Sequence, residues 1–157
     1  YDPGRKLSRE EISRLLWAAT GVNREEGRRT VPSAMGKYPV DVLVALPEGV
    51  YLYEPKGHQM KKVISEDIRE MIPKQEGFKK ASMTVLYVIN KEKTPSGRLE
   101  WADLEIGCIG QSLFLEAASL GLGSCIYANV FYETVTKTLG LKENQVLRIA
   151  QAVGAAK

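Results

Sequence analysis

Arg28-Arg29-Thr30-Val31-Pro32-Ser33-Ala34-Met35-Gly36-Lys37-Tyr38-Pro39 runs straight into Val40-Asp41-Val42-Leu43-Val44-Ala45-Leu46. The second part is apolar at every position but one and β-branched at three, so it reads as a buried strand. The first part packs two guanidiniums, the hydroxyls of Thr30 and Ser33, a glycine and two prolines ahead of that strand. Arginine offers forked, permanently charged donors to an anion, and proline limits how far the loop can move. A stiffened polar loop feeding a sheet suits an anionic ligand. The same residues also describe an ordinary basic surface loop, and at this level both readings stand.

Working outward, Pro47-Glu48-Gly49 is a tight turn and Val50–Tyr53 a second strand in hairpin arrangement. Pro55-Lys56-Gly57 turns again into a short strand over Gln59–Val63, with part of this meander exposed. Upstream, Leu7–Thr20 reads as a helix. Ser8 and Glu11 form a capping box, Ile12, Leu15, Leu16 and Ala19 share one face, and Gly21 ends it. Downstream, Asp67–Met71 and Lys74–Lys80 are short helical pieces broken at Pro73. The apolar run Ser82–Ile89 suits the centre of a sheet covered on both sides. Lys91–Arg98 reads as a flexible charged loop, either a lid or a plain surface loop.

Glu100–Leu120 is the longest helix, apolar over too much of its circumference for a monomer surface. It is either a central core helix or one that also packs against a second subunit. Gly121-Leu122-Gly123 stops it, and Ser124–Tyr127 forms a short strand. Asn129 is the candidate cap of a helix over Phe131–Leu139, which Gly140 ends, and Val146–Val153 is the last strand. The order predicts an α+β, three-layer domain around one mixed, mainly antiparallel sheet. The single domain covers 1–157.

Composition narrows the chemistry. The chain is 44% hydrophobic and 26% charged, typical of a globular domain, and has no apolar run long enough to span a bilayer. The expected compartment is the cytoplasm, with room for a targeting segment upstream of Tyr1. Tyr1–Lys6 reads as a linker. A net charge of +3, with acidic residues mixed among the basic ones, argues against nucleic acid. Cys108 and Cys125 lie in apolar surroundings and read as buried free thiols. The single histidine, His58, falls in a turn, so a Ser-His or Cys-His device would depend on it alone. No zinc-ligand cluster and no Walker or dinucleotide-binding glycine pattern is present.

Four segments together resemble the FMN-dependent nitroreductase superfamily, and within it the branch of thiazole- and oxazole-forming peptide dehydrogenases. They are Leu7-Ser8 with Leu15–Gly21, Arg28–Ala34 with Tyr38-Pro39, Gly49–Tyr53, and the long helix with Leu120–Ser124. The resemblance implies a three-layer fold, a homodimer with interwoven subunits, and two FMN sites at the interface. It also implies ping-pong chemistry: NADH or NADPH delivers a hydride to flavin N5, and a nitroaromatic, quinone or similar small acceptor then takes the electrons. Two alternatives remain within it, a flavin-binding protein without turnover (storage or structural) and an azoline-oxidising peptide dehydrogenase.

Position by position, the resemblance places Pro32, Ser33, Ala34, Gly36 and Tyr38 along the isoalloxazine. Ile126, Tyr127, Ala128 and Asn129 form the second wall, acting through backbone N–H groups. Arg29, and less directly Arg28, would meet the phosphate or the pyrimidine carbonyls. No residue is expected to act as acid, base or nucleophile; the flavin carries the electrons and the pocket orients it. Three departures stand out. Gly36 replaces an asparagine common in relatives, and Ala128-Asn129 replaces an acidic-glycine pair. The family's Arg-Arg-Ser-x-Arg phosphate segment would lie before Tyr1, leaving Arg28, Lys37 or Lys157 as candidate substitutes.

Overall fold

The computed structural model describes residues 1–156; Lys157, one of the candidate phosphate cations, lies outside the described residues. Helix α1 spans Arg9–Thr20. Strands β1 (Val40–Leu46), β2 (Gly49–Glu54) and β3 (Gln59–Ile64) form a meander. A short helix α2 (Glu76–Lys79) precedes β4 (Met83–Asn90), followed by α3 (Leu99–Ser119), β5 (Gly123–Tyr127), α4 (Tyr132–Leu139) and β6 (Gln145–Gly154).

The six strands form one sheet in the order β3-β2-β1-β4-β6-β5. Every pairing is antiparallel, which corrects the expectation of a mixed sheet. The β4-α3-β5 crossover does join two strands of the same direction. However, β6 inserts between them and pairs antiparallel with both.

Strand periodicity builds two cores. On one face Val40, Val42, Val44 and Leu46 of β1 and Met83, Val85, Tyr87 and Ile89 of β4 pack against α1 and α3. On the other, Leu43, Ala45, Leu86 and Val88 meet Ile68, Ile72, Val135 and Leu139. This gives the three layers, with β4 buried along its length as its apolar run predicts. β3 is the exposed edge, protected by Lys61 and Lys62.

The capping box closes on both sides: Ser8 Oγ accepts from Glu11 N–H at 3.1 Å, and Glu11 Oε2 accepts from Ser8 N–H at 2.7 Å. The expected Asn129 cap does not form. Helix α4 starts behind Phe131 with no side-chain cap, and the Asn129 carbonyl instead accepts from Lys74 N–H at 2.9 Å. Lys91–Arg98 is two 3-10 turns, not an open loop: Asn90 Oδ1 accepts from Glu92 N–H, and Thr94 and Pro95 are buried. The initial Tyr1–Lys6 packs on the sheet rather than hanging off it. Asp2 N–H donates to the Ala155 carbonyl at 3.0 Å, and Ser82 Oγ donates to that of Arg5 at 2.5 Å.

A polar node fixes α3 to the sheet. Buried Gln151 accepts from the Tyr87 hydroxyl at 2.5 Å and donates to Ser124 Oγ at 2.9 Å and to the Gly110 carbonyl at 3.3 Å. A Cβ at Gly110 would stand 2.6 Å from Ile126 Cδ1, so this glycine sets how closely α3 approaches β5. Among the described residues no helix is long and apolar enough to cross a membrane.

Candidate functional site

Gly21–Thr30 folds back on the end of α1, with Thr30 N–H donating to the Gly21 carbonyl at 2.9 Å and Asn23 N–H to that of Arg28 at 3.0 Å. The turn carries Arg29 inward. Its guanidinium lies 4.3 Å above the Tyr38 ring centroid, and Nη1 donates to Thr20 Oγ1 at 3.3 Å. Burial lowers the guanidinium's pKa, with Glu105, Tyr38, Asp41 and Tyr53 pulling the other way. Arg29 is therefore committed to holding the loop. Arg28 is exposed, 3.6 Å from Glu26 Oε2.

Beyond Arg29 the chain winds tightly. Met35, Gly36 and Tyr38 all have positive φ, of 53°, 64° and 47°. Two of these are not glycine, a conformation that costs about 1–3 kcal/mol each and persists where surroundings enforce it. Ser33 supplies one constraint: its Oγ accepts from Tyr38 N–H at 2.8 Å. Gly36 needs its conformational freedom rather than space, since nothing crowds a Cβ there.

Pro32, Ser33, Ala34 and Met35 face Trp101, Leu104, Glu105 and Cys108 of α3 across a hollow of about 400 Å³. The surroundings are apolar except for Ser33 and Glu105, and Glu105 is 3% exposed on the buried stripe of Ala102, Ile106, Ile109 and Leu113. Neither carboxyl oxygen has a hydrogen-bond partner. Burial raises its pKa; the Ser33 hydroxyl, the Arg29 charge and the Val40 backbone pull it back, though none closes a hydrogen bond in this geometry. Sequence reasoning missed Glu105. The signal was a carboxylate on the core face of a largely apolar helix.

The second predicted stretch lies farther along α3. Ile126 packs at Gly110, and Ala128 and Asn129 are exposed after β5. The Tyr127 side chain turns away into the opposite core, stacked on Phe78 with centroids 4.4 Å apart and planes 7° from parallel. Only its backbone remains available on the other side. The hollow beside the loop contains none of Ile126–Asn129, so one chain does not bring the two stretches together.

Along the outward side of α3, Leu104, Cys108, Gln111, Leu115 and Ala118 repeat at coiled-coil spacing. Leu104 is 71% and Leu115 64% exposed. Cys108 and Cys125 are free and half-buried, not fully buried as expected. His58 is exposed and held between two hydroxyls, Ser13 Oγ 2.7 Å from Nε2 and Tyr53 2.8 Å from Nδ1.

A protein of Methanocaldococcus jannaschii named as a nitroreductase is 31% identical over 156 residues, covering 90% of this chain and 78% of its own. A crystal structure from Ralstonia eutropha, also named as a nitroreductase, superposes with a TM-score of 0.89 at 32% identity over 98% of this chain and 75% of that one. The Escherichia coli microcin synthetase complex with truncated pro-microcin bound contains a chain with a TM-score of 0.90 at 23% identity, covering all of this chain and 67% of that one. A Desulfovibrio desulfuricans structure in complex with FMN shares the fold at a TM-score of 0.69 and 18% identity. The nitroreductase family profile matches residues 1–155, and the chain belongs to that family.

Proposed function

We propose that this chain is an FMN-dependent NAD(P)H oxidoreductase acting as a homodimer, with each flavin held between the Pro32–Tyr38 loop of one copy and the Ile126–Asn129 stretch of the other. The observation that carries the reading is the separation of these two stretches in one chain, combined with an unpartnered apolar stripe on α3 beside the hollow. A second copy docked on that stripe would cover it and supply the missing wall.

The residues present fit a flat heteroaromatic ring. The hollow is apolar, bordered by Trp101, Leu104 and Met35, with orphaned carboxyl oxygens behind it. FMN bound there would supply two-electron redox chemistry between a nicotinamide and a second substrate. The chain's own work is positional. Pro32, Ser33 and Ala34 would line the ring, and the bond from Tyr38 N–H to Ser33 Oγ holds the left-handed turn at Met35, Gly36 and Tyr38 that shapes that wall. Gly36 contributes no side chain. Arg29, stacked on Tyr38, holds the loop from behind, which leaves exposed Arg28 and Lys37 as the candidate cations for a phosphate among the described residues. The small acceptor, a nitroaromatic or quinone, would use the apolar hollow once the nicotinamide leaves.

The test is the absorption spectrum of the purified protein, then of protein with added FMN, then with NADH or NADPH. A flavin band bleached within seconds by a nicotinamide is the expected result. No band, and no binding on adding FMN, overturns the reading; a band that neither nicotinamide bleaches favours storage or a structural role. The likeness to a chain of the microcin synthetase complex motivates a second reading, oxidation of azoline rings in a peptide. Turnover of a simple nitroaromatic by the isolated protein counts against it.

A further inference from the structure

We infer that the hollow beside His58 is a second ligand site, one that takes a small amphipathic anion with a carboxylate or phosphate head and a short alkyl tail. It stands apart from the proposed flavin site and does not depend on it. The hollow, of about 210 Å³, lies between α1 and the β2–β3 hairpin. Ile12 and Leu16 form its buried floor and Met60 an apolar wall. Arg9 and Ser13 border it one helical turn apart on the same side of α1. Arg9 is exposed and enters none of the ion pairs among the described residues. A cation at the first position of a helix runs against the helix dipole, so this guanidinium is held unpaired where an anion would relieve it. The neighbouring hollow on the other side of His58 differs: its cation is committed, with Arg14 Nε donating to Glu116 Oε1 at 2.7 Å.

His58 fixes the second donor. Its φ of 48° is a strained value that the surroundings must enforce. The Tyr53 hydroxyl lies 2.8 Å from Nδ1 and Ser13 Oγ 2.7 Å from Nε2. Tyr53 is buried and its hydroxyl bonds only to this ring, with burial pushing its pKa up to about 12, so the phenol keeps its proton. A buried donor left without an acceptor is costly, which directs that proton onto Nδ1. The ring then carries its own proton on Nε2 and donates it to Ser13 Oγ, leaving the Ser13 O–H free to turn into the hollow. Gln59, also at the hollow, is occupied: its Nε2 donates to Glu54 Oε2 at 2.7 Å. Arg9 and Ser13 therefore present two donors over an apolar floor, the complement of an anionic head on an alkyl tail. Small-molecule sites usually span about 300–1,000 Å³; this smaller one limits the tail to a few carbons.

The chain has a single histidine, so a long-range proton–nitrogen NMR spectrum of the imidazole reads this site alone. The free protein is expected to hold the Nε2–H tautomer exclusively. Titration with hexanoate should move the His58 signals saturably. Acetate, which lacks the tail, and hexanol, which lacks the charge, should each bind at least about tenfold more weakly. Hexyl phosphate identifies the head group: tighter binding than hexanoate assigns a phosphate, weaker binding a carboxylate. Arg9→Ala should weaken hexanoate by about tenfold or more, and Ser13→Ala severalfold, with the melting temperature of R9A unchanged because Arg9 packs against nothing it would leave exposed. An Nδ1–H tautomer in the free protein, hexanoate shifts that persist unchanged in R9A, or acetate binding as tightly as hexanoate overturns the inference. So does a His58 spectrum that responds to neither hexanoate nor hexyl phosphate. None of these outcomes bears on whether the protein binds FMN, which its absorption spectrum reads separately.

Discussion

Replacing Leu104 and Leu115 together with alanine should dissociate the proposed dimer while leaving the protomer folded. In one chain these side chains are 71% and 64% exposed, so their truncation removes little internal packing, and alanine suits an exposed helix. Full burial of a leucine is favourable by about 1.5–3 kcal/mol, so covering the remaining two-thirds contributes about 1–2 kcal/mol per side chain. A two-fold interface counts each position twice. The double variant should therefore lose about 4–8 kcal/mol of association free energy. At tenfold per 1.4 kcal/mol, that is roughly a thousand- to million-fold in the dimer constant. Sedimentation velocity across a concentration series reads this directly, with circular dichroism confirming unchanged helix content. The FMN band should fall together with the dimer, because each site would lose its second wall. A double variant that sediments as the wild-type dimer refutes the assignment of this face, and a wild type that stays monomeric at about 100 μM refutes the dimer.

Further substitutions probe the frame around the site. Gly49→Ala should be strongly destabilising, by about 2–5 kcal/mol in urea unfolding, because φ is 131° and a Cβ would stand 2.2 Å from the Ile64 carbonyl oxygen. Tyr87→Phe strips the donor from buried Gln151 and should cost about 1–3 kcal/mol, with β5 and the C-terminal half of α3 losing amide-exchange protection first. Arg69 holds the Asp67 carboxyl below the usual carboxylate range through paired hydrogen bonds. Its contribution is present above the unfolded carboxylate value and lost as pH falls through the lowered one. Asp67→Asn should therefore flatten the acid limb of the melting-temperature profile, modestly, because the pair is partly exposed.

What could be read from the chain followed local rules. The Val40–Leu46 strand, the Ser8–Glu11 capping box and the Gly140 stop are written in neighbouring residues, and the structure reproduces them. What escaped depends on distant pairing. Asn129 is good capping chemistry, but the Pro73–Val130 bridge and the bond from Lys74 N–H fix its backbone outside the helix, a competition no local window contains. The insertion of β6 between β4 and β5 is likewise invisible to periodicity, since the same alternation serves a parallel or an antiparallel neighbour. At the site, the loop residues were legible as a group, but the direction of each side chain was not. Arg29 turns inward onto Tyr38, and Tyr127 turns into the opposite core. The turn folded back on α1 sets the first, and the sheet face that Tyr127 meets sets the second.

Several costs of this fold meet at the contact between the loop and α3, and their meeting there supports the functional reading. Two non-glycine residues in left-handed backbone, an inward guanidinium with a lowered pKa, and a buried carboxyl with no partner all lie within the loop–α3 contact. Elsewhere α3 packs conventionally, with Ile109, Leu113 and Ala117 in the core. Stability alone would favour replacing Glu105 with an apolar residue continuing that stripe, and relaxing Met35 and Tyr38 out of positive φ. A sequence that retains all of these features beside an apolar hollow is one in which a rigid wall at that hollow is worth more than the stability lost. A flat ligand pressed between two chains needs such a wall, because a loop free to adjust would lose conformational entropy each time the ligand bound.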